Sequence, residues 1–258
     1  MRVARFVVDS DPVFGYVVGE PGNERLEALS GDPLYAQVVR TGKSYALGDV
    51  RLVTPVIPRS KVVGIGRNYA DHAAEMGSEL PAKPLVFFKP NTSVIGADDP
   101  ILLPGFSNRV EFEGELAVVI GTICKEVPRE RVKDVIFGYT CANDVTARDA
   151  QASDGQWARA KGFDTACPLG PWIVTGLDPE ELSIRTRVDG QLHQDGNTRD
   201  LVFGIEDLVE YVSAAFTLLP GDVILTGTPA GVGPIEDGQV VEVEIEGIGA
   251  LRNRVMRR

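Results

Sequence analysis

Carboxylates spaced two residues apart are the chemically richest feature of this chain. The segment VEFEGELAVVIG (110–121) places Glu111, Glu113 and Glu115 so that, on an extended strand, all three project from one face. On a half-exposed strand such alternation is no more than a solvated edge. Here the strand runs on into LAVVIG, an apolar stretch typical of buried positions, where unpaired carboxylates are costly and call for a cation. A further carboxylate, Asp144, follows Asn143 in CANDVTARD directly after the apolar run VIFGYTC; alone it reads equally well as an Asx turn at a strand end. Two glutamates and this aspartate make an all-oxygen site, suited to magnesium, calcium or manganese and poorly suited to zinc, which prefers nitrogen and sulfur. Three carboxylates leave about three of six octahedral positions for water or substrate, an open arrangement of catalytic style.

Other side chains are spaced for proton transfer or anion binding. His72 and Glu75 lie three apart in NYADHAAEM, so on a helix they meet on one face, although many such pairs are surface decoration. Arg67 and Lys89 are cations beside apolar strands, able to attract a second substrate carboxylate or to pair with a structural acid. Arg148 and Gln151 follow Asp144 closely enough to line the same cavity. Thr228, in TGTPAGVG, offers a hydroxyl and backbone amides to a substrate, though its glycines are also those of a plain turn. His193, among the turn residues of DGQLHQDGN, is expected at the surface.

Short strands must position these groups. Seventeen prolines and 28 glycines cut the sequence into brief apolar runs, the pattern of a strand-rich domain with tight turns. KVVGIG, LVFFKP, ELAVVIG and VIFGYTCANDV have strand length and read as buried. In VVEVEIEGIG, by contrast, Glu242, Glu244 and Glu246 alternate with Val241, Val243 and Ile245, marking a half-exposed strand. Helical periodicity is confined to roughly 68–76, 151–160 and 205–218, the last ending at Pro220. RVARFVV, FGYVVG and YALGDVRLV make a small N-terminal β module over residues 1–57. TPVIPRS, with Pro55 and Pro58 unable to donate ladder hydrogen bonds, links it to a main domain at 58–258. The arginine-rich end, RNRVMRR, reads as solvated.

Composition narrows the function. A net charge of −11 argues against nucleic acid, whose binding draws on phosphate neutralisation. Cys124, Cys141 and Cys167 show no zinc-ligand spacing and read as reduced core thiols. No signal-peptide h-region or membrane span is evident, so the expected address is cytoplasmic, without a membrane partner. A nucleotide-binding reading fails on spacing: GIGRNY has Tyr69 where a dinucleotide fingerprint needs its third glycine, and TGTPAGVGP lacks the Gly-Lys-Ser/Thr ending of a phosphate loop.

Six segments, GRNYADHAAEM (66–76), PLVFFKPNTSVIG (84–96), VEFEGELAVVIG (110–121), GYTCANDVTARDAQ (138–151), AKGFDTACPLGPWIV (160–174) and LLPGDVILTGTPAGVG (218–233), together resemble the catalytic domain of the fumarylacetoacetate hydrolase superfamily over roughly residues 60–256. The resemblance implies an α+β, strand-rich fold, a mixed β-sandwich roll wrapped around a metal, and a homodimer. It implies Mg2+ or Mn2+ held by Glu113, Glu115 and Asp144, with Glu111 flanking, and Lys161 holding the substrate's carboxylate or enolate. It also implies that His72 and Glu75 form a water-activating pair on a mobile lid helix. The short N-terminal module fits the small bacterial-type members. The implied substrate is a small 2-oxo acid, cleaved by C–C hydrolysis or decarboxylated, as by an acylpyruvate hydrolase or oxaloacetate decarboxylase. The alternative is isomerisation or decarboxylation of ring-cleavage products of aromatic catabolism, such as 2-hydroxyhepta-2,4-diene-1,7-dioate. A non-catalytic scaffold is disfavoured because none of the ligand positions, nor Lys161, is replaced.

Overall fold

A computed structural model describes residues 1–20 and 22–257. The chain opens with a meander, β1 (Arg2–Val8), β2 (Asp11–Val18), β3 (Arg25–Leu29) and β4 (Arg40–Ala46), after which β5 (Arg51–Val53) pairs back on β1. Next come β6 (Val62–Gly66), α1 (Ala70–Glu75), β7 (Leu85–Lys89), β8 (Val94–Ile95) and β9 (Ile101–Leu103). The middle of the chain supplies β10 (Val110–Phe112), β11 (Gly114–Ile120), β12 (Ile136–Asn143), β13 (Thr146–Ala147), α2 (Arg148–Ser153), α3 (Ala158–Gly162) and β14 (Cys167–Val174). The remainder is β15 (Ser183–Val188), β16 (Gln191–Asn197), α4 (Ile205–Ala215), β17 (Val223–Leu225), β18 (Gly233–Pro234), β19 (Val240–Ile245) and β20 (Gly249–Arg257). The fold is α+β and strand-rich.

One long sheet runs in the order β4-β3-β2-β1-β14-β12-β11-β17-β6-β7. Its centre is β14, β12 and β11, whose residues are almost all buried because both faces are covered, which explains their unbroken apolar runs. On one face Leu116, Val118 and Cys141 join Ile184, Val243, Ile245 and Leu251 of a second sheet, β16-β15-β19-β20-β9, in a single core cluster. Leu208, Val209 and Val212 of α4 close the same cluster. Ala117, Val119, Ala142, Leu169 and Leu225 form a core on the opposite face. Each such Val, Leu or Ile contributes about 1.5–3 kcal/mol by leaving water. The N-terminal strands extend the main sheet, because Arg2 of β1 lies opposite Val174 of β14.

Several sequence expectations change on folding. LVFFKP is not a buried strand. It becomes β7, last on the sheet path, paired only with β6, and Phe88 stays exposed while stacking edge-on against Phe216. The single helix expected at 151–160 is instead two short ones, α2 and α3, separated by a turn in which Gly155 adopts φ +68°. The helix beginning at 205 stops at Ala215 because Leu218 leaves it to exchange backbone hydrogen bonds with Cys124. Residues 252–257 of RNRVMRR are no loose end but part of β20, with exposed Arg252 and Arg254 flanking buried Asn253, and Arg258 lies outside the described residues. The alternation in β19 behaves as expected: Val241, Val243 and Ile245 are buried and Glu242 and Glu244 are half-exposed.

Candidate metal centre

The chain changes sheets at Glu113. β10 belongs to a three-stranded sheet, β13-β10-β18, and β11 to the long sheet, so Glu113 sits at the break between them. Its N–H donates to Asn143 Oδ1 at 2.9 Å, and its carbonyl accepts from Asp144 N at 2.8 Å. The end of β12 is thereby stitched to the break, and Asp144 arrives beside two glutamates. Ligand oxygens of Glu113, Glu115 and Asp144 all lie within 4.8 Å of one another, and all three residues are buried. Gly114, between the glutamates, admits no side chain: a Cβ there would stand 2.2 Å from Thr186 Oγ1.

Glu111 departs from the common face expected of one continuous strand, because the break at Glu113 puts it in the other sheet. Its carboxylate accepts from Arg109 Nε at 2.7 Å and from Arg148 Nε at 2.5 Å. Arg148 also places Nη2 2.5 Å from Glu113 Oε1 and donates from Nη1 to Gln151 Oε1 at 2.8 Å. Lys161, buried on α3 with its ammonium over the Phe87 ring, donates to Glu113 Oε2 at 2.9 Å, Asp144 Oδ2 at 2.5 Å and Thr146 Oγ1 at 2.9 Å. Lys89, at the end of β7, does not face a cavity as a free anion-binding cation would. It is fully buried and donates to Asp144 Oδ1, so its partner is an acid of the carboxylate cluster itself.

A cavity of about 310 Å³ opens onto the carboxylates and is lined by Arg67, His72, Glu113, Glu115, Arg148, Gln151, Lys161 and Thr228, with Ile65, Met76 and Trp157 among its apolar walls. His72 is buried on α1 with Nδ1 3.3 Å from Glu75 Oε2. A carboxylate can only accept, so the contact is a hydrogen bond donated by Nδ1, and Nε2 is the ring nitrogen not engaged by Glu75. α1 ends in a Schellman turn, in which Gly77 N donates to Ala74 O and Ser78 N to Ala73 O, with Gly77 at φ +61°. Arg67 has φ +57°, a strained backbone for a residue with a side chain. His193 is exposed, edge-on to Phe112.

Burial and neighbouring charge pull the two glutamates apart. For Glu113, burial favours the neutral acid, but Lys161 and Arg148 outweigh it and hold its carboxyl far below the ordinary range. For Glu115, burial is reinforced by the negative Asp144 and Glu113, which push its carboxyl well above that range. The only hydrogen bond to the Glu115 side chain among the described residues comes from Gly227 N at 2.7 Å, and it makes no ion pair there.

Residues 61–256 match the family model described as fumarylacetoacetate (FAA) hydrolase, C-terminal. The chain belongs to that family. Residues 1–55 match a second model, Rv2993c-like, N-terminal. Among relatives of this fumarylacetoacetate hydrolase family member, Protein Rv2993c of Mycobacterium tuberculosis is 52% identical over all of this chain and 99% of its own length. A crystal structure of 2-hydroxyhepta-2,4-diene-1,7-dioate isomerase from Mycobacterium marinum is 48% identical, covers 100% of this chain and 99% of that one, and superposes with a TM-score of 0.93. Fumarylpyruvate hydrolase from Pseudomonas aeruginosa, solved with Mn2+ and pyruvate, is 33% identical over 78% of this chain and 91% of its own, with a TM-score of 0.74.

The donor set of this family member fits a hard divalent cation. Among the described residues four buried carboxylates, Glu111, Glu113, Glu115 and Asp144, face three buried cations, Lys89, Lys161 and Arg148, a formal excess of one negative charge, and Glu115 is the acid without an ion-pair partner there. The group is all oxygen, with no thiol or imidazole in it. Sequence reasoning missed Asn143 and Gln194, which fix the backbone around the glutamates, and Trp157, which walls the cavity. Asn143 was legible as Asp144's neighbour; Gln194 had no local signal. Among the described residues no helix is long and apolar enough to cross a membrane.

Proposed function

We propose that this chain is a divalent-metal-dependent enzyme that cleaves a C–C bond of a small 2-oxo acid, by hydrolysis of an acylpyruvate or decarboxylation of oxaloacetate. The observation that carries the reading is the convergence of Glu113, Glu115 and Asp144, with the two glutamates lining a cavity that also presents Lys161 and His72. Those three residues would hold magnesium or manganese, which when bound would supply Lewis-acid polarisation of the 2-oxo group.

The remaining work falls to the chain itself. Lys161 offers a buried ammonium for the substrate's developing negative charge. Arg148 is held over the site by Glu111 and Gln151. Arg67 lines the cavity and offers a guanidinium to a carboxylate at the substrate's far end. His72 Nε2 takes the proton of the attacking water while Glu75 stabilises the imidazolium through Nδ1. Ile65, Met76 and Trp157 limit bulk water around the reacting atoms. The full-length likeness to the Mycobacterium marinum isomerase supports a second reading, double-bond isomerisation of a ring-cleavage dienoate, which needs proton transfer by His72 but no attacking water.

Purified protein assayed with magnesium against oxaloacetate, acetylpyruvate and a hydroxymuconate-type dienoate separates the two. Loss of acetylpyruvate or oxaloacetate, abolished by chelator and restored by Mg2+ or Mn2+, is the expected result. Conversion of the dienoate alone favours the isomerase reading, and turnover of none of the three overturns both.

A further inference from the structure

Gln194 lies on β16 and is completely buried, yet it points at no solvent and no charged partner. Its amide is fully engaged: Oε1 accepts from Gly114 N at 2.9 Å, and Nε2 donates to Thr228 Oγ1 and to Pro229 O, each at 2.7 Å. Thr228 Oγ1 in turn donates to Gly114 O at 2.8 Å. Gln194 thus clamps the loop 226–231 to the one residue that separates Glu113 from Glu115.

That loop reaches both halves of the site. At its start Gly227 N donates to the Glu115 carboxylate at 2.7 Å and Thr226 Oγ1 donates to Leu116 O at 2.9 Å. At its end Gly231 N lies 3.2 Å from both carboxylate oxygens of Glu75, the partner of His72. Gly231 is fixed against the backbone of β16: its φ is +98°, and a Cβ would come within 2.2 Å of His193 O. The strand that carries Gln194 therefore holds the middle of the loop and backs its end at Gly231, while β11 holds its start.

We infer that Gln194 is a positioning residue that couples the carboxylate triad to the His72–Glu75 pair through the loop 226–231, a role whose catalytic part rests on the function proposed above. A buried amide whose only task was local packing would stabilise the fold without reaching α1. Loss of its three hydrogen bonds would free Thr228 and Pro229, let Gly231 leave Glu75, and loosen α1 against the cavity.

The test compares wild type, Gln194→Met and Thr228→Val, all loaded with Mg2+, by hydrogen exchange with mass-spectrometric readout and by steady-state kinetics. Gln194→Met should speed exchange in residues 70–78 about tenfold while residues 167–174 stay protected. It should lower kcat about tenfold with KM within about threefold. Thr228→Val, which removes one hydroxyl, should move exchange in the same direction and decides the matter where Gln194→Met does not fold. Unchanged exchange at 70–78 in the folded variants overturns the coupling, and faster exchange there with full kcat overturns the positioning role. A wild-type protein inert toward all three substrates defeats the proposed function instead, and the exchange measurement still decides the coupling.

Discussion

Replacing Glu115 by glutamine should make the metal-free protein more stable and the metal-loaded protein no better for it. Glu115 is buried, lacks an ion-pair partner among the described residues, and has two acidic neighbours with oxygens within 4.8 Å. Two unit charges at that separation repel by roughly 3.5 kcal/mol at an effective dielectric of about 20, an amount that the nearby Lys161 partly offsets. Removing one negative charge without changing shape should therefore raise metal-free stability by about 1–3 kcal/mol, or about 2–10 °C in a chain of this size. The effect has a defined pH sign. Because burial, Asp144 and Glu113 raise the folded-state carboxyl above its unfolded value, the wild type holds the proton more tightly when folded. It loses stability as pH climbs from the ordinary carboxyl range toward that raised value, so the advantage of Glu115→Gln should widen with pH. Saturating magnesium at about 100 times its dissociation constant should stabilise the wild type by about 2.7 kcal/mol and the variant far less. Calorimetric melts of chelated and magnesium-loaded protein at three pH values measure all of this. A variant that melts lower than wild type without metal, and keeps the full magnesium shift, would refute the assignment of Glu115 as a ligand.

Three further outcomes follow from the same geometry. His72→Asn should lower hydrolytic kcat by about 10²–10⁴-fold while leaving the magnesium-induced melting shift intact, as read by kinetics and melts side by side. Lys161→Met leaves Glu113 and Asp144 without their shared ammonium and should destabilise the metal-free protein by about 3–5 kcal/mol in denaturant titrations, the reverse of Glu115→Gln. Gly114→Ala drives a methyl against Thr186 Oγ1 and should cost about 1–3 kcal/mol together with weakened magnesium affinity by calorimetry, since the backbone between two ligands must shift.

What the sequence made legible was what is local in the chain. Glu113 and Glu115 stand on either side of Gly114 and their spacing is readable at once; His72 and Glu75 meet across one turn of α1. The alternation of β19 and the apolar runs of β11 and β12 carry their burial in their own pattern. Long-range contacts left no such mark. Gln194 meets Gly114 from 80 residues away, and nothing in DGQLHQDGN distinguishes it from a surface strand. Lys89 resembles any cation at a strand end until β7 is placed beside β6, which turns it toward Asp144. The change of sheet at Glu113 was likewise hidden, because VEFEGE alternates without interruption across it and only the pairing of β10 with β13 and β18 reveals the break.

That break explains why the site is where it is. A straight strand would have aligned Glu111 with Glu113 and Glu115, and three carboxylates would have faced one ion. By changing sheets at Glu113 the chain turns Glu111 toward Arg109 and Arg148, so it no longer competes for the ion and instead holds the guanidinium that contacts Glu113. The third carboxylate of the cluster comes instead from Asp144, just past the end of β12, whose two oxygens are steered by two lysines from different elements. With a divalent ion added, the buried set moves from one negative charge in excess to one positive. A bound monoanion would then neutralise that set, whereas a neutral ligand would leave it charged.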